Sequence, residues 1–229
     1  IMPPFWDPIC PPQGIVSLKS YLQNRDYDVH IVDFNVDGQL FNLQRKYFDV
    51  GISHFPQWKF LNIPRNGPRY FARHQLVNLY AGKNNSKYKE LISLILNFDG
   101  NSICSTKTLD LFDSIIEEIF NIVASKTKEL MEQIKPDVVG CTMLESTFPS
   151  SLVILKKVKE INPKVITVLG GPGVVTGNTV DDGNLQRVEY DLPVRRVEGA
   201  KAAPAAATRS MPVIVSAYGG DRYYYECAD

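Results

Sequence analysis

The sequence predicts an α/β fold in which a doubly wound parallel sheet is interrupted by a mostly helical insertion. Short apolar runs alternate with stretches of helical spacing, the strand–helix–strand order of parallel sheets. The alternation stops near residue 38 and resumes near residue 135, so the chain between is predicted to be inserted into one domain. With 229 residues, 44% of them hydrophobic, the chain can bury a sizeable core.

The first α/β unit is predicted within residues 1–37. Residues 1–6 have the pattern of the end of a strand whose start is missing, which predicts an incomplete N-terminus. Apolar side chains at 15, 18, 21 and 22 predict a helix over 15–24. The apolar run over 28–35 predicts a buried strand.

The predicted insertion covers residues 38–107 and is rich in aromatic and polar side chains. No strand pattern is visible there, and helices are predicted over 69–80 and 88–96. Apolar residues recurring at three and four predict a long amphipathic helix over 108–134. Lys135-Pro136 is expected to end this helix.

The second α/β part follows at once. We predict a strand over 138–142, a helix over 150–161, a strand over 165–169, a fifth strand over 191–197 and a short strand over 211–216. Residues 1–198 are interpreted as one domain. Residues 199–229 are interpreted as an Ala/Pro linker over 199–208 followed by a Tyr-rich tail, which could be the start of a missing or degenerate further domain.

The composition limits the classes of binding partner that the chain is expected to have. Lys plus Arg and Asp plus Glu both number 25, so bulk positive charge cannot drive binding, and no nucleic-acid partner is predicted. No apolar run is long enough to span a bilayer and no secretory signal is visible, so no membrane partner and a cytoplasmic location are predicted. The four cysteines have no short spacing that would build a zinc site.

Ligands of open parallel sheets bind beyond the carboxyl ends of the strands. The loops that should lie there are 3–14, 33–38, 142–149 and 170–177. The candidate binding residues in these loops are Pro12, Gly14, Asp33, Asn35, Thr142, Leu144, Glu145, Ser146, Thr147, Gly170, Gly171, Pro172 and Gly173.

Two of these loops admit two interpretations each. The loop 142–149 carries three hydroxyls and one carboxylate, which could bind a polar ligand or simply cap the next helix. The sequence Gly170-Gly171-Pro172-Gly173 could let a flat ligand lie against the backbone or could form a tight turn. It is neither a dinucleotide fingerprint nor a phosphate loop.

Three segments resemble a known family: PPFWDPICPPQGIVSLKSYLQNRDYDVHIVDFN, IKPDVVGCTMLESTFPSSLVILKKVKEINPKVITVLGGPG and EYDLPVRRVEGA. They are similar to the flavodoxin-like (Rossmann-like) cobalamin-binding domain of cobalamin-dependent radical S-adenosylmethionine enzymes. Thr142-Met143-Leu144 stands where such domains have S-x-L, and Gly170-Gly171 follows at the family's spacing. The D-x-H-x-x-G motif is absent, since the loop after the first strand has no histidine.

The resemblance implies a cobalamin-binding module of a radical S-adenosylmethionine methyltransferase or maturase, with no catalytic residue in this chain. Thr142 would meet the nucleotide tail of cobalamin, Gly170 and Gly171 would leave room for it, and no histidine of this chain would ligate cobalt from below. An iron–sulfur [4Fe–4S] cluster and S-adenosylmethionine belong to a complete parent enzyme, acting on a peptide or small-molecule substrate. Its C-x-x-x-C-x-x-C motif would need cysteines at 220, 224 and 227, and only Cys227, a weak candidate ligand, is present.

Two other functions remain open from the sequence. A degenerate flavodoxin-like scaffold could bind a protein partner through the insertion and the Tyr-rich tail, without cobalamin. A nucleotide or nucleotide-sugar site is the third hypothesis, permitted by the glycine-rich loops and Glu145 but supported by no specific motif.

Overall fold

The computed structural model describes residues 1–5, 13–55, 58, 63–82, 87–96, 104–171, 194–197 and 224–227. Within these ranges the helices are α1 (Gln13–Gln23), α2 (Gly38–His54), α3 (Ile63–Tyr80), α4 (Tyr88–Leu96), α5 (Thr106–Ile134) and α6 (Phe148–Ile161), with a short 3₁₀ helix at Phe34–Val36. The strands are β1 (Val138–Thr142), β2 (Ile166–Gly170), β3 (Val194–Val197) and β4 (Tyr224–Cys227). The predicted α/β class is therefore confirmed.

The strands form one sheet in the order β1-β2-β4-β3. β1 and β2 are parallel and pair along their full length, from Val138 opposite Ile166 to Thr142 opposite Gly170. β4 is antiparallel to both β2 and β3. The α6 helix connects β1 to β2, as the sequence predicts for this β-α-β unit.

The predicted strand over 28–35 is only partly formed. Met2 makes an isolated parallel bridge to Asp33, and the chain then turns into the 3₁₀ helix. Val29, Ile31 and Val32 are half-buried rather than buried. The physical reason is sparse backbone pairing, because among the described residues of the N-terminal segment only Met2 exchanges backbone hydrogen bonds with this stretch.

The helices of the predicted insertion are present, with one boundary wrong. The predicted helix over 88–96 matches α4, but α3 begins at Ile63 and continues through Pro68, whereas the sequence predicts a start at residue 69. Pro68 lies inside α3, so its missing N–H leaves the carbonyl of Pro64 without an intrahelical donor, a cost that keeps proline rare within helices. We call α2 to α5 the helical region.

An aromatic cluster fills the helical region. Tyr47, Trp58, Phe71 and Phe112 are fully buried, and the centroids of their contacting rings lie 4.5–6.1 Å apart. The Trp58 indole N–H donates to the Leu96 carbonyl at 2.9 Å. Its ring lies against Gly51, where even a Cβ atom would overlap ring carbons.

A buried polar network crosses the same core. Asp113 of α5 accepts from the Tyr88 hydroxyl at 2.5 Å and lies 3.2 Å from Nε2 of His74, whose Nδ1 lies 2.9 Å from the Tyr47 hydroxyl. Asn78 also reaches the Tyr88 hydroxyl at 3.1 Å. The network therefore joins all four helices, and saturated buried networks of this kind fix one packing arrangement.

Burial sets the protonation of this network. It lowers the pKa of His74, and this outweighs the nearby Asp113 carboxylate, which raises it. Burial also raises the pKa of Tyr47 and of Tyr88, with Asp113 acting in the same direction. His74 is consequently neutral and both tyrosines keep their protons near neutral pH.

Among the described residues, no helix is both long and apolar enough to cross a membrane. The predicted linker over 199–208 and the predicted strand over 211–216 lie outside these residues, as does most of the Tyr-rich tail. β3 falls within the predicted range 191–197, and Cys227 is the last residue of β4.

Candidate functional site

Three of the predicted loops start side by side at the carboxyl edge of the sheet. Thr142 and Gly170 are direct partners at the ends of β1 and β2. The Thr142 N–H donates to the carbonyl of Ile1 at 3.2 Å, and the neighbouring Met2 pairs with Asp33. The structure thus brings Asp33, Thr142 and Gly170 to one edge, although they are far apart in sequence.

The two glycines differ in their surroundings. A Cβ atom on Gly170 would meet no atom of the described residues within 4 Å, so the space beside this residue is open among them. Gly171 has φ +117°, and a Cβ there would lie 3.1 Å from the Met143 carbonyl oxygen. The Met143 N–H also donates to the Gly170 carbonyl at 2.6 Å. Gly171 is therefore required by the turn itself, whereas Gly170 is not.

The hydroxyls of the 142–149 loop mostly close the loop. Thr147 Oγ1 accepts from the Leu144 N–H at 3.0 Å and lies 3.2 Å from the Thr142 carbonyl, to which Ser151 also donates. Thr147 precedes α6 but its side chain makes no capping bond to that helix. The capping interpretation is therefore wrong for Thr147, whose hydroxyl instead holds the loop. Ser146 is half-buried.

The Thr142 side chain has a weaker partner. Its hydroxyl donates to the Met2 sulfur at 3.0 Å, and thioether sulfur is a weak acceptor. A ligand with a better acceptor could take over this hydroxyl at little cost. Thr142 is half-buried, so it is reachable from the edge.

The Glu145 carboxylate faces helix α3. Arg69 Nε donates to Glu145 Oε2 at 2.9 Å, and an Arg73 guanidinium nitrogen lies 3.6 Å from Oε1. The sequence analysis did not select Arg69 or Arg73. Their spacing of four on a predicted helix was visible, but their pairing with a residue more than seventy positions away was not.

The loop after Asp33 encloses a small cleft. Asp33 accepts from the Asn35 N–H at 2.8 Å, and Asn35 Oδ1 accepts from the Phe5 N–H at 2.9 Å. The cleft has a volume of about 40 Å³ and apolar walls from residues including Phe5 and Phe41. Both polar side chains thus have structural hydrogen bonds, and the cleft is only large enough for a group of a few atoms.

The remaining predicted residues separate from this edge or fall outside it. Gly14 is an exposed residue of α1. Pro12, Pro172 and Gly173 lie outside the described residues. Two further hydroxyls, Ser150 Oγ and Thr167 Oγ1, are buried with no hydrogen-bond partner among the described residues.

No histidine of this chain lies in the loops at the carboxyl edge. His30 is 3.3 Å from the Asp28 carboxylate, His54 contacts the Val50 carbonyl on its own helix, and His74 belongs to the buried network. Within the described ranges, no group of three or more His, Cys, Asp or Glu side chains could hold a metal ion. Cys104 and Cys141 are buried thiols.

Comparison with known proteins adds no family to this geometry, because the chain matches no protein-family model, no curated protein and no solved structure.

Proposed function

We propose that this chain is a cobalamin-binding module of a radical S-adenosylmethionine methyltransferase or maturase, and that it binds the cofactor rather than catalysing. The observation that carries the proposal is the pairing of Thr142 with Gly170 at the ends of adjacent parallel strands. These are the positions that the family resemblance relates to the nucleotide tail. Two motifs separated along the chain thus meet at the edge where open parallel sheets bind ligands.

The residues at this edge fit an elongated cofactor tail. Among the described residues, the open position beside Gly170 leaves room that any side chain would fill, and the sulfur of Met2 is the one partner that the Thr142 hydroxyl would give up. Thr142 and Gly170 would hold the tail, while the loop closed by Thr147 keeps their spacing. When bound, cobalamin supplies methyl-transfer or radical chemistry at its cobalt, and the protein orients it.

The proposal includes a flavodoxin-like doubly wound sheet. Hydrogen bonds run from the 29–33 segment to the N-terminal segment, then to β1, and from β1 to β2. If the N-terminal segment counts as the first strand, the 29–33 segment as the second, and β1 and β2 as the third and fourth, the order is 2-1-3-4, as in flavodoxin-like sheets. The switch point of the strand order then falls between the N-terminal segment and β1. Thr142, at the end of β1, borders this switch point, and Gly170 lies one strand beyond it.

The test is corrinoid retention by the whole chain. The purified protein is incubated with hydroxocobalamin, desalted and examined by visible spectroscopy, with Thr142→Val as a variant of equal size. We expect a retained corrinoid band in the wild type, without the signature of a protein nitrogen ligand, and a weaker band in Thr142→Val. A folded protein that retains no corrinoid would contradict the proposal.

A second candidate function is a scaffold that binds a protein partner and no cobalamin. The observation that favours it is the exposure of large apolar side chains on the helical region, among them Phe41 at 55% and Leu94 at 65%. This function predicts no corrinoid band. It also predicts that Leu94→Ser weakens capture of a partner without changing the unfolding temperature of the free chain.

A further inference from the structure

The pair Arg69 and Arg73 lies on a rigid face beside the 142–147 loop. The residues between and after them, Phe71, Ala72 and His74, are fully buried, so α3 is fixed by the core on its other side. The two arginine side chains are 57% and 51% exposed. The backbone that carries the guanidinium groups is thus held in place while the groups themselves face solvent.

Their partner, Glu145, sits on a backbone that is equally fixed. The neighbouring Leu144 N–H is bonded to Thr147, and the Met143 N–H to Gly170. The Glu145 side chain is nevertheless 49% exposed, and an exposed carboxylate gains little net free energy from such pairs. Rotation of this side chain into water would therefore free both arginines without disturbing the loop.

The charges do not balance. Two guanidinium groups one helical turn apart repel each other, and a single carboxylate contributes one oxygen to each. One positive charge remains uncompensated within this group. Guanidinium groups bind carboxylate and phosphate oxygens through paired N–H donors, so the arrangement favours an anion with several oxygens.

We propose that Arg69 and Arg73 form a binding site for an oxyanion, the phosphate or carboxylate group of a ligand at this edge of the sheet, and that Glu145 occupies the site until the ligand displaces it. The site goes beyond the cobalamin proposal and needs no cobalamin. Glu145 is then an internal competitor rather than a ligand-binding residue.

The competitor role makes an unusual prediction, because removing charge from one partner should strengthen binding while removing it from the others should abolish it. Inorganic pyrophosphate and malonate serve as probes for the phosphate and carboxylate classes, titrated calorimetrically at low ionic strength. We expect Glu145→Gln to bind the preferred probe about fivefold more tightly than the wild type, since an exposed ion pair of roughly 1 kcal/mol no longer competes. Arg69→Gln with Arg73→Gln should bind neither.

The exposed pair Lys128 and Glu132 on α5 supplies the matched controls. Glu132→Gln makes the same chemical change at a similar exposure, and Lys128→Gln removes a cation away from the loop. Both should leave probe affinity within twofold of the wild type, and wild-type affinity should fall as salt rises. Equal affinity in Glu145→Gln and Glu132→Gln, undiminished binding by the double arginine variant, or no binding by any variant would overturn the proposal.

Discussion

The helical region and the carboxyl edge of the sheet use their glycines and polar groups in opposite ways. In the helical region, the Trp58 ring occupies the space beside Gly51, and Asp113 accepts from the Tyr88 hydroxyl and lies 3.2 Å from the His74 ring nitrogen. At the sheet edge, no described atom lies beside the Cβ position of Gly170, and the Thr142 hydroxyl donates to the Met2 sulfur. A glycine whose Cβ position is occupied by a neighbouring side chain indicates tight packing. A glycine with open space beside it and weakly bonded polar groups nearby indicates room for a ligand.

The largest expected effect tests the packing of the Trp58 ring in the helical region. Trp58→Ala removes a fully buried indole and its bond to the Leu96 carbonyl, which should lower the free energy of unfolding by about 4 kcal/mol. Gly51→Ala should cost about 2 kcal/mol through overpacking against the same ring. Chemical denaturation measures both, and a loss below about 1 kcal/mol for Trp58→Ala would contradict the packing described here.

The next effect concerns the polar network. Asp113→Ala leaves the Tyr88 hydroxyl and His74 without their shared acceptor, so we expect a loss of about 3 kcal/mol. Asp110→Ala, an exposed position on the same helix, should cost less than about 0.5 kcal/mol. Similar losses in the two variants would show that the network does not stabilise the helical region.

A smaller effect distinguishes the two glycines at the sheet edge. Gly171→Ala forces a side chain into a positive φ and against the Met143 backbone, so we expect a loss of about 1–2 kcal/mol. Gly170→Ala meets no atom and should change stability by less than about 0.5 kcal/mol. If thermal unfolding found the reverse order, the turn would not depend on Gly171.

The smallest effect is a pH dependence that originates at His74. Its folded pKa is below the value of 6.5 in the unfolded chain, so the unfolded state binds more protons in acid. The titration of His74 therefore does not change the free energy of unfolding above pH 6.5. Below pH 6.5 it lowers this free energy as the pH falls, by at most about 1.4 kcal/mol per pH unit. His74→Gln should flatten this slope between pH 6.5 and 5.5, as measured by chemical denaturation at each pH.

Much of the fold could be predicted from residue patterns. Periodicity located α4, α5 and β1 closely because each has a long or purely apolar repeat. It placed the start of α3 too late, because α3 runs through Pro68 although proline disfavours a helix interior. The incomplete strand before Phe34 was also missed, because its apolar residues do not show how many backbone hydrogen bonds it receives.

The candidate site was only partly predictable for a related reason. Strand order brings Thr142 beside Gly170, and this followed from general rules of parallel sheets. The Arg69–Glu145 pair and the Asp113 network join residues distant in sequence, so no local spacing could predict these contacts. The sequence does not show that His74 is buried while His30 and His54 are exposed, and only the packing separates them.

The most direct test of the open edge compares two valine variants for corrinoid retention. Gly170→Val fills the space beside Thr142, while Gly140→Val places the same side chain in equally open space two residues earlier on β1. Hydroxocobalamin binding, followed by visible absorption, should be lost in Gly170→Val and retained in Gly140→Val, with both variants as stable as the wild type. Retention of the corrinoid by Gly170→Val at wild-type affinity would contradict a ligand site at this edge of the sheet.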